Sequence, residues 1–164
     1  MLSKTIQDAI NEQINKELYS SYLYLSMSAY CAEQNMPGFA AWMSVQSHEE
    51  NTHAMKFYGY IHDRSGHVEL EAIDKPHAKF KSAVDIFKQV LEHEQKVSGM
   101  ITRLYELAVK EKDYPTQIML EWFITEQIEE EKTAGEILEQ LKLVGDSPVS
   151  LIMMDRQLAA RAAK

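Results

Sequence analysis

The chain has almost no cysteine: Cys31 is the only one among 164 residues. One thiol closes no internal disulfide and offers neither a zinc cluster nor a redox pair. Glycine and proline are also scarce, at six and four, which argues against a turn-rich all-β fold. No apolar run approaches the roughly 18 residues that cross a bilayer, so no membrane association is expected. The opening Met1-Leu2-Ser3-Lys4 carries no secretory pattern, and the expected compartment is cytoplasmic. Basic residues number 17 against 25 acidic ones, a formal charge of −8. A nucleic-acid partner would call for a basic patch, and none is visible. Acidity on this scale serves solubility and leaves metal cations admissible as partners.

What is present is helical periodicity. Four long segments carry it, over about 4–34, 38–65, 83–112 and 115–144. Ser3 is placed to cap the first. Asn35-Met36-Pro37-Gly38 breaks it from the second, with Pro37 suited to a first helical turn. At 1.5 Å per residue each long helix spans about 40 Å. Two short links make their flanking helices antiparallel neighbours. The link after Gly66 is long enough to run back along a bundle. Within it, His67-Val68-Glu69-Leu70-Glu71 alternates and suits either a short strand or an extended crossing. The predicted fold class is all-α: a four-helix bundle with one long crossover between the second and third helices. Ser147-Pro148 opens a short fifth helix over about 148–161, which needs a surface to pack on. No repeat or linker divides residues 1–164, which read as a single domain.

The apolar stripes of the long helices contain polar residues. Ile6, Ile10 and Ile14 define one face of the first helix, and that face continues through Glu17 and Tyr24. On the second, Glu50 and His53 fall within the stripe of Trp42, Met43, Phe57 and Ile61. Glu94 interrupts the third stripe between Val90 and Val97. Gln127 and Glu130 interrupt the fourth between Phe123 and Ala134. All lie near mid-helix, so a bundle can bring them to one level. A single glutamate on an apolar stripe is usually a phase error, and a lone histidine there is usually a satisfied core residue. Recurrence on all four helices at matching depth is different. An unpaired buried carboxylate costs several kcal/mol or shifts its pKa strongly upward. Two divalent cations remove the difficulty. Glu17, Glu50, Glu94 and Glu130 supply four negative charges, and His53 adds a neutral nitrogen. Carboxylates with one imidazole suit iron, manganese or zinc, and a bridging Glu50 would hold two ions roughly 3.5–4 Å apart. Tyr24, two turns from Glu17, is placed to hydrogen-bond a ligand or supply an electron.

One glutamate from each of two helices, joined to a Glu-x-x-His helix motif, resembles the di-iron carboxylate bundles. Glu17 and Glu94 match the single acids, and Glu50-Asn51-Thr52-His53 matches the motif. The fourth helix has Gln127-Ile128-Glu129-Glu130 in place of a second such motif. That departure resembles the non-haem ferritins of bacteria and archaea. The resemblance extends over nearly the whole chain, through Glu17-Leu18-Tyr19-Ser20-Ser21-Tyr22, Glu92-His93-Glu94 and Glu126-Gln127-Ile128-Glu129-Glu130-Glu131. It implies an iron-storage protein with a ferroxidase centre that oxidises Fe(II) with O2 or hydrogen peroxide. In it, Glu17, Glu50 and His53 bind one iron and Glu50, Glu94 and Glu130 the other, with Gln127 beside them. It also implies a third iron site from Glu49, Glu126 and Glu129, sharing Glu130; otherwise these acids form a solvated helix face.

The family assembles as homo-oligomeric shells of 24 subunits. Tyr19, Tyr22, Leu23, Met27 and Tyr30 form a second apolar face on the first helix, read as an interface unless the crossover covers it. Bacterioferritins place a haem-binding methionine where this chain has Asn51, so no haem is expected. Two other readings fit less of the pattern: a di-iron oxidase acting on an organic substrate, and a helical scaffold with an acidic interior.

Overall fold

The computed structural model describes residues 2–145 and 147–162. Residues 1, 146, 163 and 164, which the single-domain reading also includes, lie outside the described residues. Five helices follow in order: α1 (Lys4–Glu33), α2 (Pro37–Asp63), α3 (Ala83–Lys110), α4 (Tyr114–Val144) and α5 (Pro148–Ala162). α1 lies along α2 and α3 along α4, with α1 also against α3; α5 packs on α2 and touches α4. This is the four-helix bundle with a long crossover and a short fifth helix.

Local chemistry explains the helix ends. The side chains of Ser3, Ser82 and Asp113 accept backbone N–H bonds from Ile6, Asp85 and Thr116 at 3.1–3.2 Å, satisfying amides that have no partner within the helix. Asn35, Ser65 and Lys112 take left-handed backbone angles, φ of 58°, 56° and 56°. Each lets the next residue's N–H close back on the helix: Met36 to Cys31, Gly66 to Ile61 and Asp113 to Ala108. These closures end α2 at Asp63 rather than 65 and α3 at Lys110 rather than 112.

The crossover is extended, and no strand occurs among the described residues. Asparagine side chains of α1 take the place of a strand partner. Asn11 donates to the His67 carbonyl at 3.1 Å and accepts from the Glu69 N–H at 3.1 Å, while Asn15 donates to the Ala72 carbonyl at 3.0 Å. Farther along, Phe80 packs edge-on to Tyr30, ring centroids 5.3 Å apart. The second apolar face expected on α1 is therefore largely internal. Leu23 and Met27 are buried in the subunit core, Tyr19 and Tyr30 pack against it, and Tyr22 remains exposed. A helix flanked by α2, α3 and the crossover has more than one covered side, so apolar character there does not mark an outer surface.

The core is in two parts. Ile6, Ile10, Ile61, Ile101 and the stacked rings of Phe57 and Phe123, 4.0 Å apart, fill one end. Met27, Phe39, Met43, Phe87 and Leu141 fill the other, joined by Met154 and Leu158 of α5. Burying each large side chain contributes roughly 1.5–3 kcal/mol. The two apolar parts leave a polar level between them at mid-bundle.

α5 is seated by a close backbone contact. A Cβ at Gly38 would lie 1.7 Å from the Asp155 carbonyl oxygen, so only glycine fits. Beside it, the Asp155 carboxylate accepts the Phe39 N–H at 3.0 Å, an amide in the first turn of α2 that lacks a partner within the helix.

Candidate metal centre

The polar level is built by all four long helices. Glu17 comes from α1, Glu50 and His53 from α2, Glu94 from α3, and Gln127 and Glu130 from α4. Glu17, Glu50 and Glu94 are each 1% exposed. One potential ligand atom from each of Glu17, Glu50 and His53 lies within 4.8 Å of the other two. The same holds for Glu50, Glu94 and Glu130, so Glu50 belongs to both groups. His53 Nδ1 is 3.5 Å from Glu50 Oε2.

Hydrogen bonds hold some carboxylate oxygens and leave others free. Gln13 donates to Glu17 Oε1 at 2.7 Å. Gln46 donates to Glu130 Oε1 at 2.9 Å and Glu50 Oε1 at 3.3 Å. Tyr24 donates its phenolic proton to Glu94 Oε1. Gln127 Nε2 donates to Glu94 Oε2 at 3.1 Å and to the Glu94 carbonyl at 3.2 Å, fixing α4 against α3. Glu17 Oε2 and Glu130 Oε2 are buried with no hydrogen-bond partner, a costly state for a charged oxygen.

The electrostatics follow from burial and crowding. Desolvation raises Glu17 to about 7, and the Glu94 charge adds to that against the hydrogen bond from Gln13. Burial, followed by Glu94, Glu130 and Glu17, pushes Glu50 well above the ordinary carboxylate range. Burial and then Glu94 push Glu130 up to about 10. Burial holds His53 down to about 4, helped by the nearby Lys56 charge, so the imidazole is neutral at physiological pH and able to ligate. Desolvation and then Glu94 raise Tyr24 well above its ordinary value, keeping the phenol protonated. Without a cation these carboxyls are disposed to hold protons; with one, the same oxygens become an anionic cage.

A second acidic group flanks this level. Glu126 is half-buried and joins His53 and Glu130 within 4.8 Å. Burial, then Glu129 and Glu49, raises its pKa. Glu49 and Glu129 belong to no such close group among the described residues. Glu49 pairs instead with Arg161 of α5, and Glu129 is exposed. All three still line one cavity of about 170 Å³, together with Glu94, Glu130 and Arg161.

Sequence reasoning missed Gln13, Gln46 and Arg161. The glutamines stand four residues before Glu17 and Glu50 on the same helix faces, and that spacing was the available signal. Arg161 had none, because only the seating of α5 brings it to the site.

A family model for the ferritin-like domain matches residues 7–144. The chain belongs to the ferritin family. Among curated relatives, the bacterial non-haem ferritin of Staphylococcus haemolyticus is 40% identical over 99% of this chain and 98% of its own length. That of Campylobacter jejuni is 39% identical over 96% and 95%. Among solved structures, an open-pore ferritin of the archaeon Archaeoglobus fulgidus superposes with a TM-score of 0.95 at 41% identity, covering 96% of each chain. The chain is thus similar in sequence to bacterial non-haem ferritins and in both sequence and shape to an archaeal ferritin.

Proposed function

We propose that this ferritin stores iron and oxidises it at a two-iron ferroxidase centre inside each subunit. The observation that carries the reading is the convergence of Glu17, Glu50, His53, Glu94 and Glu130 from four helices, with buried oxygens of Glu17 and Glu130 left unpartnered. One Fe(II) takes Glu17, Glu50 and His53. The second takes Glu50, Glu94 and Glu130, with Glu50 bridging. Four carboxylates then balance two divalent ions. Hard oxygen ligands favour Fe(III) over Fe(II). Two Fe(II) give up two electrons, and O2 with two protons leaves as hydrogen peroxide. With peroxide as oxidant, two protons and the same two electrons yield two waters. Gln127 and Tyr24 hold Glu94 in place, and Tyr24 is the nearby group able to supply a further electron.

Fe(III) leaves toward the cavity lined by Glu49, Glu126 and Glu129 and hydrolyses to ferric oxyhydroxide within a 24-subunit shell. Exposed Tyr22, Leu25, Ile118, Ile152 and Met153 give such an assembly apolar surface to bury. The unit is the single domain of residues 1–164, its compartment the cytoplasm. No helix of the described residues is long and apolar enough to cross a membrane. The acidic cavity beside the centre fits a cation pathway better than an organic substrate.

The test is stopped-flow absorbance after mixing metal-free protein with Fe(II) in air. Ferric absorbance should develop faster than in buffer, with a rapid phase saturating near two Fe(II) per chain. Glu50→Ala should abolish that phase. No acceleration in the parent, or a full rapid phase in the variant, would overturn the proposal.

A further inference from the structure

The last described turn of α5 brings a positive charge into the lining of the acidic cavity. Arg161 Nη2 pairs with Glu49 Oε2, and its Nη1 donates to Gln46 Oε1 at 2.9 Å. Its guanidinium lies over the Trp42 ring, 4.6 Å from the centroid. Gln46 passes the contact inward, since its amide nitrogen donates to Glu130 and Glu50. The Arg161 charge also acts on Glu126, opposing the rise caused by burial and neighbouring acids. Arg161 therefore pairs with one acid of the proposed outer iron site, lines the same cavity as the other two, and is linked by one glutamine to the ligands of the inner pair. Its placement follows from the seating of α5 through Met154, Leu158 and the Gly38–Asp155 contact.

We propose that Arg161 is a tethered counter-ion that occupies the outer acidic group in the metal-free protein and must be displaced before a cation can bind there. This rests on the ferroxidase reading and adds an order to it. The inner pair fills first, because its ligands have no competing protein cation. The outer group fills only when Arg161 leaves Glu49 and Trp42. While Arg161 is in place it also fixes the orientation of the Gln46 amide, and its departure frees Gln46 to rotate. The guanidinium and an incoming cation seek the same carboxylate, and both cannot hold it.

The experiment is calorimetric titration of the assembled, metal-free protein with Zn(II), a redox-inert probe, while tryptophan emission is followed. Arg161→Met keeps much of the apolar stem and removes the charge; Arg161→Lys keeps a charge without the planar fork. In the parent, two tight equivalents should precede a weaker third, and the third should change Trp42 emission as the guanidinium leaves. In Arg161→Met the third equivalent should bind roughly three- to ten-fold more tightly, the scale of a partly exposed ion pair. The first two should be unchanged and the emission step lost. Arg161→Lys should restore weak third binding. A third equivalent equally weak in Arg161→Met, or an unaltered emission step, overturns this proposal while leaving the two-site reading standing. Absence of the first two tight equivalents in the parent defeats the two-site reading itself.

Discussion

The metal-free protein should lose stability as pH rises from about 7 to about 8.5. Glu130 is pushed up to about 10 and Glu50 well above the usual range, whereas an unburied glutamate has the model value of 4.5. Over this window the unfolded chain has released those protons and the folded chain retains them. The folded state binds more protons, so the unfolding free energy falls with pH. Each proton so retained contributes a slope of about 1.4 kcal/mol per pH unit. One proton held by the cluster thus amounts to a loss of about 2 kcal/mol per chain across the window. Below about pH 6.5 the contributions oppose one another: His53, held down to about 4, stabilises the fold as pH rises, while Glu17, raised to about 7, acts with Glu50 and Glu130 in the opposite direction. Above that range the histidine no longer contributes. Guanidinium unfolding of the metal-free protein at both pH values reads the difference directly. Glu130→Gln should flatten the slope, and Zn(II) should do so as well, by holding the carboxylates ionised. A metal-free stability that is level or rises across the window would refute the claim that these carboxyls are crowded and desolvated.

Other perturbations probe single contacts. Gly38→Ala places a methyl against the Asp155 carbonyl; it should cost about 1–3 kcal/mol and speed proteolysis after Val144. Tyr24→Phe removes a buried donor to Glu94 and should lower metal-free stability by about 1–2 kcal/mol, read as a drop in Tm. Asp113→Ala breaks both the α4 cap and the fork to Arg64, whose Nη1–Oδ1 and Nη2–Oδ2 distances are 2.9 and 3.0 Å. It should cost about 1–2 kcal/mol by denaturant unfolding, with the rapid phase of Fe(II) oxidation unaffected.

The run Ile6, Ile10, Ile14, Glu17 shows why much of the fold and the inner ligand set was legible. Helical phase alone carries an inward face from isoleucines to a carboxylate, and four such interruptions at one depth constrain one another. The same phase rule misled at Leu23 and Met27. It identifies apolar faces but not how many neighbours a helix has, and α1 has three. Helix ends shifted at Ser65 and Lys112 because nothing in those residue types announces a left-handed turn. Gln13 and Gln46 were legible in principle from their four-residue spacing to glutamates. Arg161 was not, since its approach to Glu49 is set by tertiary seating more than one hundred positions away in sequence.

The most direct measurement is anomalous diffraction at the iron edge from crystals loaded anaerobically with Fe(II). Two peaks per chain are expected, one among Glu17, Glu50 and His53 and one among Glu50, Glu94 and Glu130, with Glu50 touching both. Iron found only on surface acids, with the mid-bundle level empty, would contradict it.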